Sequence, residues 1–142
     1  MRFVHDNLPQ RVCFGSGEAA AHLSSEIANL QASKVMVLAG KSERDVAGTI
    51  TQQLPVALRY DDVVMHVPLE VAERARDAAA KAGVDALVSV GGGSATGLAK
   101  AIAMTTGLPI VAVRTRELTS SKPSMFRVTS PNGVRLRIAT PL

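Results

Sequence analysis

The residues with the clearest chemical use lie in one run, Val90-Gly91-Gly92-Gly93-Ser94-Ala95-Thr96-Gly97-Leu98-Ala99-Lys100. An apolar segment ends, three glycines follow, and a segment that suits a helix begins. Glycine permits φ > 0 and lets a ligand approach the main chain with no Cβ in the way. A helix starting there would present unpaired N–H groups and about half a positive charge. Those are the physical needs of a pyrophosphate site. In this reading Gly91, Gly92 and Gly93 cradle phosphate. Ser94 caps the helix and donates its hydroxyl to a phosphate oxygen. Gly97, one turn in, leaves room for close packing. The run lacks the Gly-Lys-Ser/Thr end of a Walker loop, and it is not the common Rossmann fingerprint despite similar spacing. A tight strand-to-helix turn without a ligand would use the same three glycines. Lys100 lies six residues past Ser94, roughly 9 Å further along an ideal helix. It could reach a phosphate or a substrate carboxylate, and spacing alone suits a solvated surface lysine equally well.

Other chemistry-bearing residues are scattered. His66 sits in Met65-His66-Val67-Pro68, where a histidine at the end of an element is usually structural. His5 and His22 are isolated. No His-x-x-x-His pair or carboxylate–histidine cluster suggests a metal site. Cys13 has no histidine partner at short range, and as the one cysteine it excludes an internal disulfide framework and a multi-cysteine zinc site.

Composition narrows the function classes. The chain has 142 residues, 46% hydrophobic and 20% charged, which suits one globular domain with a real core. The longest apolar runs fall well short of the ~18 residues of a membrane span, so no membrane partner is expected. The first residues carry no signal-peptide apolar stretch, and a reducing cytoplasm is the expected location. The net charge of +4 invites a nucleic-acid reading. Its distribution argues against one. Residues 1–113 hold 10 Lys+Arg and 11 Asp+Glu, whereas residues 114–142 hold six basic residues and only Glu117. Four dispersed aromatics, Phe3, Phe14, Tyr60 and Phe126, make no base-stacking platform.

The elements that must position the glycine run follow from periodicity. Residues 11–14 read as a short strand, with Phe3-Val4 as a further short strand beside it. A helix is expected over 18–30, with Ala20, Leu23, Ile27 and Leu30 on one face. Residues 35–39 form a compact apolar run, a strand buried on both faces. Ser42 and Asp45 have the spacing of a capping box, and Val46, Ile50 and Leu54 give the stripe of the helix behind it. A third short strand is placed within 60–67. Pro68 suits the first turn of the next helix, in which Val71, Ala75, Ala78 and Ala82 share a face and Gly83 is the stop. Residues 86–90 form the strand before the glycines, the following helix runs over 94–104 to a stop at Gly107, and 109–113 is another strand. This alternation of strands and helices predicts a doubly wound, mostly parallel, Rossmann-like α/β sheet. Beyond 113 apolar residues thin out. Residues 126–128 and 134–138 alternate apolar and basic around Asn132-Gly133, which suits either a hairpin or an irregular tail.

At the glycine run the residues become recognisable. Residues 88–103 resemble the glycine motif of the iron-containing alcohol dehydrogenase superfamily, and more narrowly that of the maleylacetate reductases. The superfamily usually has Asp where this chain has Gly97. Gly97-Leu98 with Lys100 is similar to the maleylacetate reductase version. Met65-His66-Val67-Pro68, Thr106-Gly107-Leu108-Pro109-Ile110-Val111-Ala112-Val113 and the opening stretch through Gly17 look like that family too.

The resemblance implies an α/β domain, residues 1–113, that binds NAD(H) or NADP(H) through Gly91, Gly92, Gly93, Ser94 and Gly97. It implies reduction of maleylacetate to 3-oxoadipate in the breakdown of aromatic compounds, with Lys100 holding a carboxylate of the dicarboxylate substrate. Family members continue into a helical domain that supplies most of the substrate pocket and, in metal-dependent relatives, most of the metal ligands. That domain is missing from these 142 residues, so no metal is expected from the residues present, and a homodimer could cover exposed apolar surface. The family's Pro-Thr-Thr and Gly-Ser-Glu segment is replaced by Arg114-Thr115-Arg116-Glu117-Leu118-Thr119, in which Thr115 matches the first threonine. Residues 114–142 are therefore expected to be a degenerate or truncated tail. The second strand ends at Ala39-Gly40-Lys41 without the acidic residue that binds a ribose hydroxyl in a Rossmann-type site.

Overall fold

The computed structural model describes residues 11–14, 17–115 and 136–139. Its strands are β1 (Arg11–Phe14), β2 (Val35–Ala39), β3 (Val56–Tyr60), β4 (Ala86–Gly91), β5 (Ile110–Arg114) and β6 (Leu136–Ala139). Its α-helices are α1 (Ala19–Asn29), α2 (Arg44–Ile50), α3 (Leu69–Ala82) and α4 (Gly93–Thr106), with a 3₁₀ turn over Lys41–Glu43. The six strands form one sheet in the order β1-β6-β5-β4-β2-β3, every pair parallel.

The predominantly apolar runs do what such runs must do. β2 and β4 are buried at every position and lie inside the sheet, whereas β3 alternates in exposure and forms an edge. Two cores result. On one face Leu23 and Ile27 of α1 and Ala47 of α2 pack on Val35, Val37, Val88, Val90, Val111 and Val113. On the other, Val71 and Ala75 of α3 and Leu98 and Ile102 of α4 pack on Met36, Leu38, Leu87 and Ile110. Gly83 and Gly107 stop α3 and α4 in the left-handed conformation, φ +61 and +70, as their positions predict. A carboxylate staples two loops under the sheet. Asp85 accepts the Ser33 and Lys34 amides and the Ser33 hydroxyl at 2.8–2.9 Å. Partial burial opposes its charge, but those donors outweigh it and hold its carboxyl below the usual range.

Several boundaries differ from the expectation. The third strand is residues 56–60, not within 60–67. The Pro55 carbonyl accepts the Val35 amide and seats the chain beside β2. Ser42 caps no helix. Its hydroxyl donates to Glu43 instead, and the 3₁₀ turn delays α2 to Arg44. The fully buried positions of this segment are Ala47, Thr51 and Leu54; of the expected stripe Leu54 is buried, while Ile50, packed on the same core, and Val46 are half-buried. In α3 the buried set is Val71, Ala72, Ala75 and Ala79, so the helix is turned slightly from the expected Ala78–Ala82 face. Leu136–Ala139 does not pair as the arm of a hairpin. It is inserted in parallel between β1 and β5, where the sheet edge of an apolar strand offers unpaired amides and carbonyls. The expected partner arm, 126–128, and Phe3-Val4 lie outside the described residues.

Candidate functional site

The connections of the sheet create a crevice at one place. From β2 the chain turns through α2, on one face, toward β3. From β4 it turns through α4, on the other face, toward β5. The two exits diverge, so the carboxyl ends of β2 and β4 flank a gap. Open parallel sheets bind ligands at such a switch point.

The glycine run lies there. Gly91 is the last residue of β4 and has φ +132, a conformation closed to L side chains. Gly92 is the N-cap of α4, extended at φ −94 and ψ −154, and no side chain caps the helix. A Cβ on Gly92 or Gly93 would meet nothing within 4 Å. The outer side of the loop is therefore open, and the first amides of a 14-residue helix face that opening. Ser94 is half-buried and is the second residue of α4, not its cap, because the turn is completed one residue earlier by Gly92. Beneath the loop the buried Ser89 hydroxyl of β4 lies 3.5 Å from the Thr96 hydroxyl of α4.

Gly97 does serve packing. A Cβ there would stand 3.1 Å from Val67 Cγ2, and Val67 itself holds φ +44 in a turn where His66 holds φ +63. Lys100 is half-buried on α4, about two turns beyond the loop. Thr115 follows the end of β5, and its neighbour Arg114 pairs with Gly91. Thr115 thus lies on the same sheet edge as the glycines. The structure brings Gly91, Gly92, Gly93, Ser94 and Thr115 to one edge and leaves Lys100 further along the helix. His66 is exposed, His22 bonds Glu18 at 3.0 Å, and His5 lies outside the described residues.

A residue overlooked in the sequence borders this crevice. Glu43 is carried back by the 3₁₀ turn, whose Glu43 amide donates to the Gly40 carbonyl at 3.1 Å. Its Cγ lies 3.4 Å from the position of a Cβ on Gly91. The signal available was Gly40 one short turn before an acidic residue. Charges farther out are paired: Arg44 with Asp61, and Arg74 with Asp62 at 2.7 Å. Burial, then the Asp62 charge, pushes the Tyr60 phenol at the end of β3 above its ordinary range. Among the described residues no three His, Cys, Asp or Glu side chains group as metal ligands. No helix among them is long and apolar enough to cross a membrane.

Residues 9–140 match the family model of the iron-containing alcohol dehydrogenases. A maleylacetate reductase of a Pseudomonas species is 38% identical over 131 residues, covering 91% of this chain and 37% of its own length. Among solved structures, an iron-containing alcohol dehydrogenase of Corynebacterium glutamicum superposes with TM-score 0.83 at 44% identity, over 99% of this chain and 42% of that one. Maleylacetate reductase of a Rhizobium species superposes with TM-score 0.78 at 31% identity, over 98% of this chain and 43% of that one. The chain thus spans less than half the length of the relatives it matches.

Proposed function

The chain belongs to the iron-containing alcohol dehydrogenase family, and on that premise we propose that it is the dinucleotide-binding part of a maleylacetate reductase-type oxidoreductase. The observation that carries this reading is the open glycine loop at the switch point between β2 and β4. Identity of 38% to a maleylacetate reductase supports the narrower substrate assignment, reduction of maleylacetate to 3-oxoadipate by NAD(P)H.

The residues fit the cofactor as follows. The amides of the first turn of α4 donate to the pyrophosphate oxygens, and the bare main chain at Gly92 and Gly93 leaves room for them. Gly91 turns the chain so that those amides face the crevice. Ser94 donates its hydroxyl to a phosphate oxygen, and Thr115 lies on the adjoining strand end to hold the nucleotide from the other side. Lys100 is assigned to a carboxylate of the dicarboxylate substrate. When bound, the dihydronicotinamide supplies a hydride. None of this chemistry is assigned to a metal. Cytoplasmic location and a role in aromatic-compound breakdown belong to the same proposal.

The test is NADH titration of the chain and of Gly92→Val. A branched side chain there would fill the space the phosphate needs. Expected are saturable binding by the parent and binding at least about tenfold weaker by the variant, the scale of losing one or two charge-assisted hydrogen bonds. Equal affinity in two folded proteins would remove the loop from the site.

A further inference from the structure

The side chain of Glu43 lies folded over two glycines. Its Oε2 is 2.9 Å from the point a Cβ on Gly40 would occupy, and its Cγ and Cδ are 3.4 and 3.5 Å from the point a Cβ on Gly91 would occupy. Gly40 follows the last residue of β2 and Gly91 ends β4. The half-buried carboxylate therefore lies between the two strand ends that border the switch point. The Ser42 hydroxyl donates to Oε2 at 2.8 Å and steadies the group. A carboxylate offers about four lone-pair sites, so one donor leaves capacity for a pair of vicinal hydroxyls. In doubly wound dinucleotide sites a carboxylate after the second strand accepts from the adenosine ribose, and a cation there accommodates a 2′-phosphate.

We propose that Glu43 selects NAD(H) over NADP(H) by accepting the adenosine ribose hydroxyls and repelling a 2′-phosphate. This rests on the dinucleotide reading of the same crevice. Gly40 holds the position where a short acidic side chain would project from the end of β2, with ordinary φ −64. Glu43 fills that space from three residues downstream. The neighbouring cations do not reverse the sign: Arg44 is paired with Asp61, and Lys41 is exposed on the same 3₁₀ turn. A phosphate brought against a half-buried carboxylate meets like charge at reduced dielectric.

The experiment titrates NADH and NADPH, by nicotinamide fluorescence, into the full 142-residue chain, Glu43→Gln and the double variant Gly40→Asp/Glu43→Ala. Glu43→Gln keeps the shape and removes the charge. The parent is expected to favour NADH by at least about tenfold, and Glu43→Gln to lose about tenfold of that preference, the scale of one charged hydrogen bond. The double variant, which returns a carboxylate to the same space, is expected to restore it. A parent indifferent to the 2′-phosphate, a Glu43→Gln variant that keeps full preference, or a double variant that lacks it would overturn the role of Glu43 and leave dinucleotide binding intact. A folded parent that binds neither nucleotide overturns both. If Glu43→Gln does not fold, the parent and the double variant decide.

Discussion

Val67 Cγ2 lies 3.1 Å from where a Cβ on Gly97 would stand, so the missing side chain at 97 is matched by one present at 67. Two effects oppose each other in Gly97→Asp. The helix gains about 0.3–0.5 kcal/mol of propensity, and the overpacked contact loses about 1–3 kcal/mol. The second wins, the more so because Val67 already holds φ +44, which a β-branched residue rarely adopts. Denaturant unfolding should show Gly97→Asp destabilised by about 1–2 kcal/mol. Val67→Ala in the same background should recover most of the loss, as coupled neighbours do. Additive effects would mean the two residues do not press on each other. The glycines were legible at this scale because a strand followed by three of them has few physical uses. Glu43 was not, because its approach to Gly91 depends on a 3₁₀ turn that periodicity does not reveal.

Elements were legible in proportion to how fully they are buried. β2, β4 and β5 are predominantly apolar runs, and each lies within a residue or two of its expected bounds. β3 is half exposed, with Arg59 next to its last residue, and its pattern competes with the Val63-Val64 stretch that follows, which draws the expected strand too far along the chain. β6 was hidden for a different reason. Leu136–Ala139 alternates apolar and basic, the pattern of a hairpin arm with one wet face, and nothing local tells such a strand which edge it will join. Its position has a consequence for stability. Among the described strands β1 pairs only with β6, and β6 covers the edge of β5, whose Val111 and Val113 are buried. Residues beyond 113 are poor in apolar side chains and would be expected from composition to add little. Topology reverses that expectation. Truncation after Thr115 should lower the thermal midpoint by at least about 5 °C, the effect of about 1 kcal/mol in a domain of this size, and should promote association through the exposed edge. An unchanged midpoint would mean the sheet does not depend on β6.

At the scale of the whole molecule, binding and turnover separate. The described residues supply an open glycine loop at the start of α4, a carboxylate beside it and one lysine two turns away. Among the described residues all four α-helices pack on the faces of the sheet. Hydride transfer requires the nicotinamide and a substrate carbonyl held at near-attack distance, and such positioning is worth roughly 7–11 kcal/mol of barrier. A single lysine clamp at one carboxylate provides a few kcal/mol at best, so the shortfall in rate is several orders of magnitude. The chain matches 37% of a maleylacetate reductase and 42% of a related dehydrogenase. The 142-residue chain is therefore expected to bind NADH without oxidising it when maleylacetate is added, whereas a full-length relative assayed beside it should do both. The readout is loss of dihydronicotinamide absorbance in the presence and absence of substrate. Turnover within tenfold of the full-length control would show that residues 1–142 hold a complete catalytic constellation, and Lys100→Met would then be the first variant to test for loss of it.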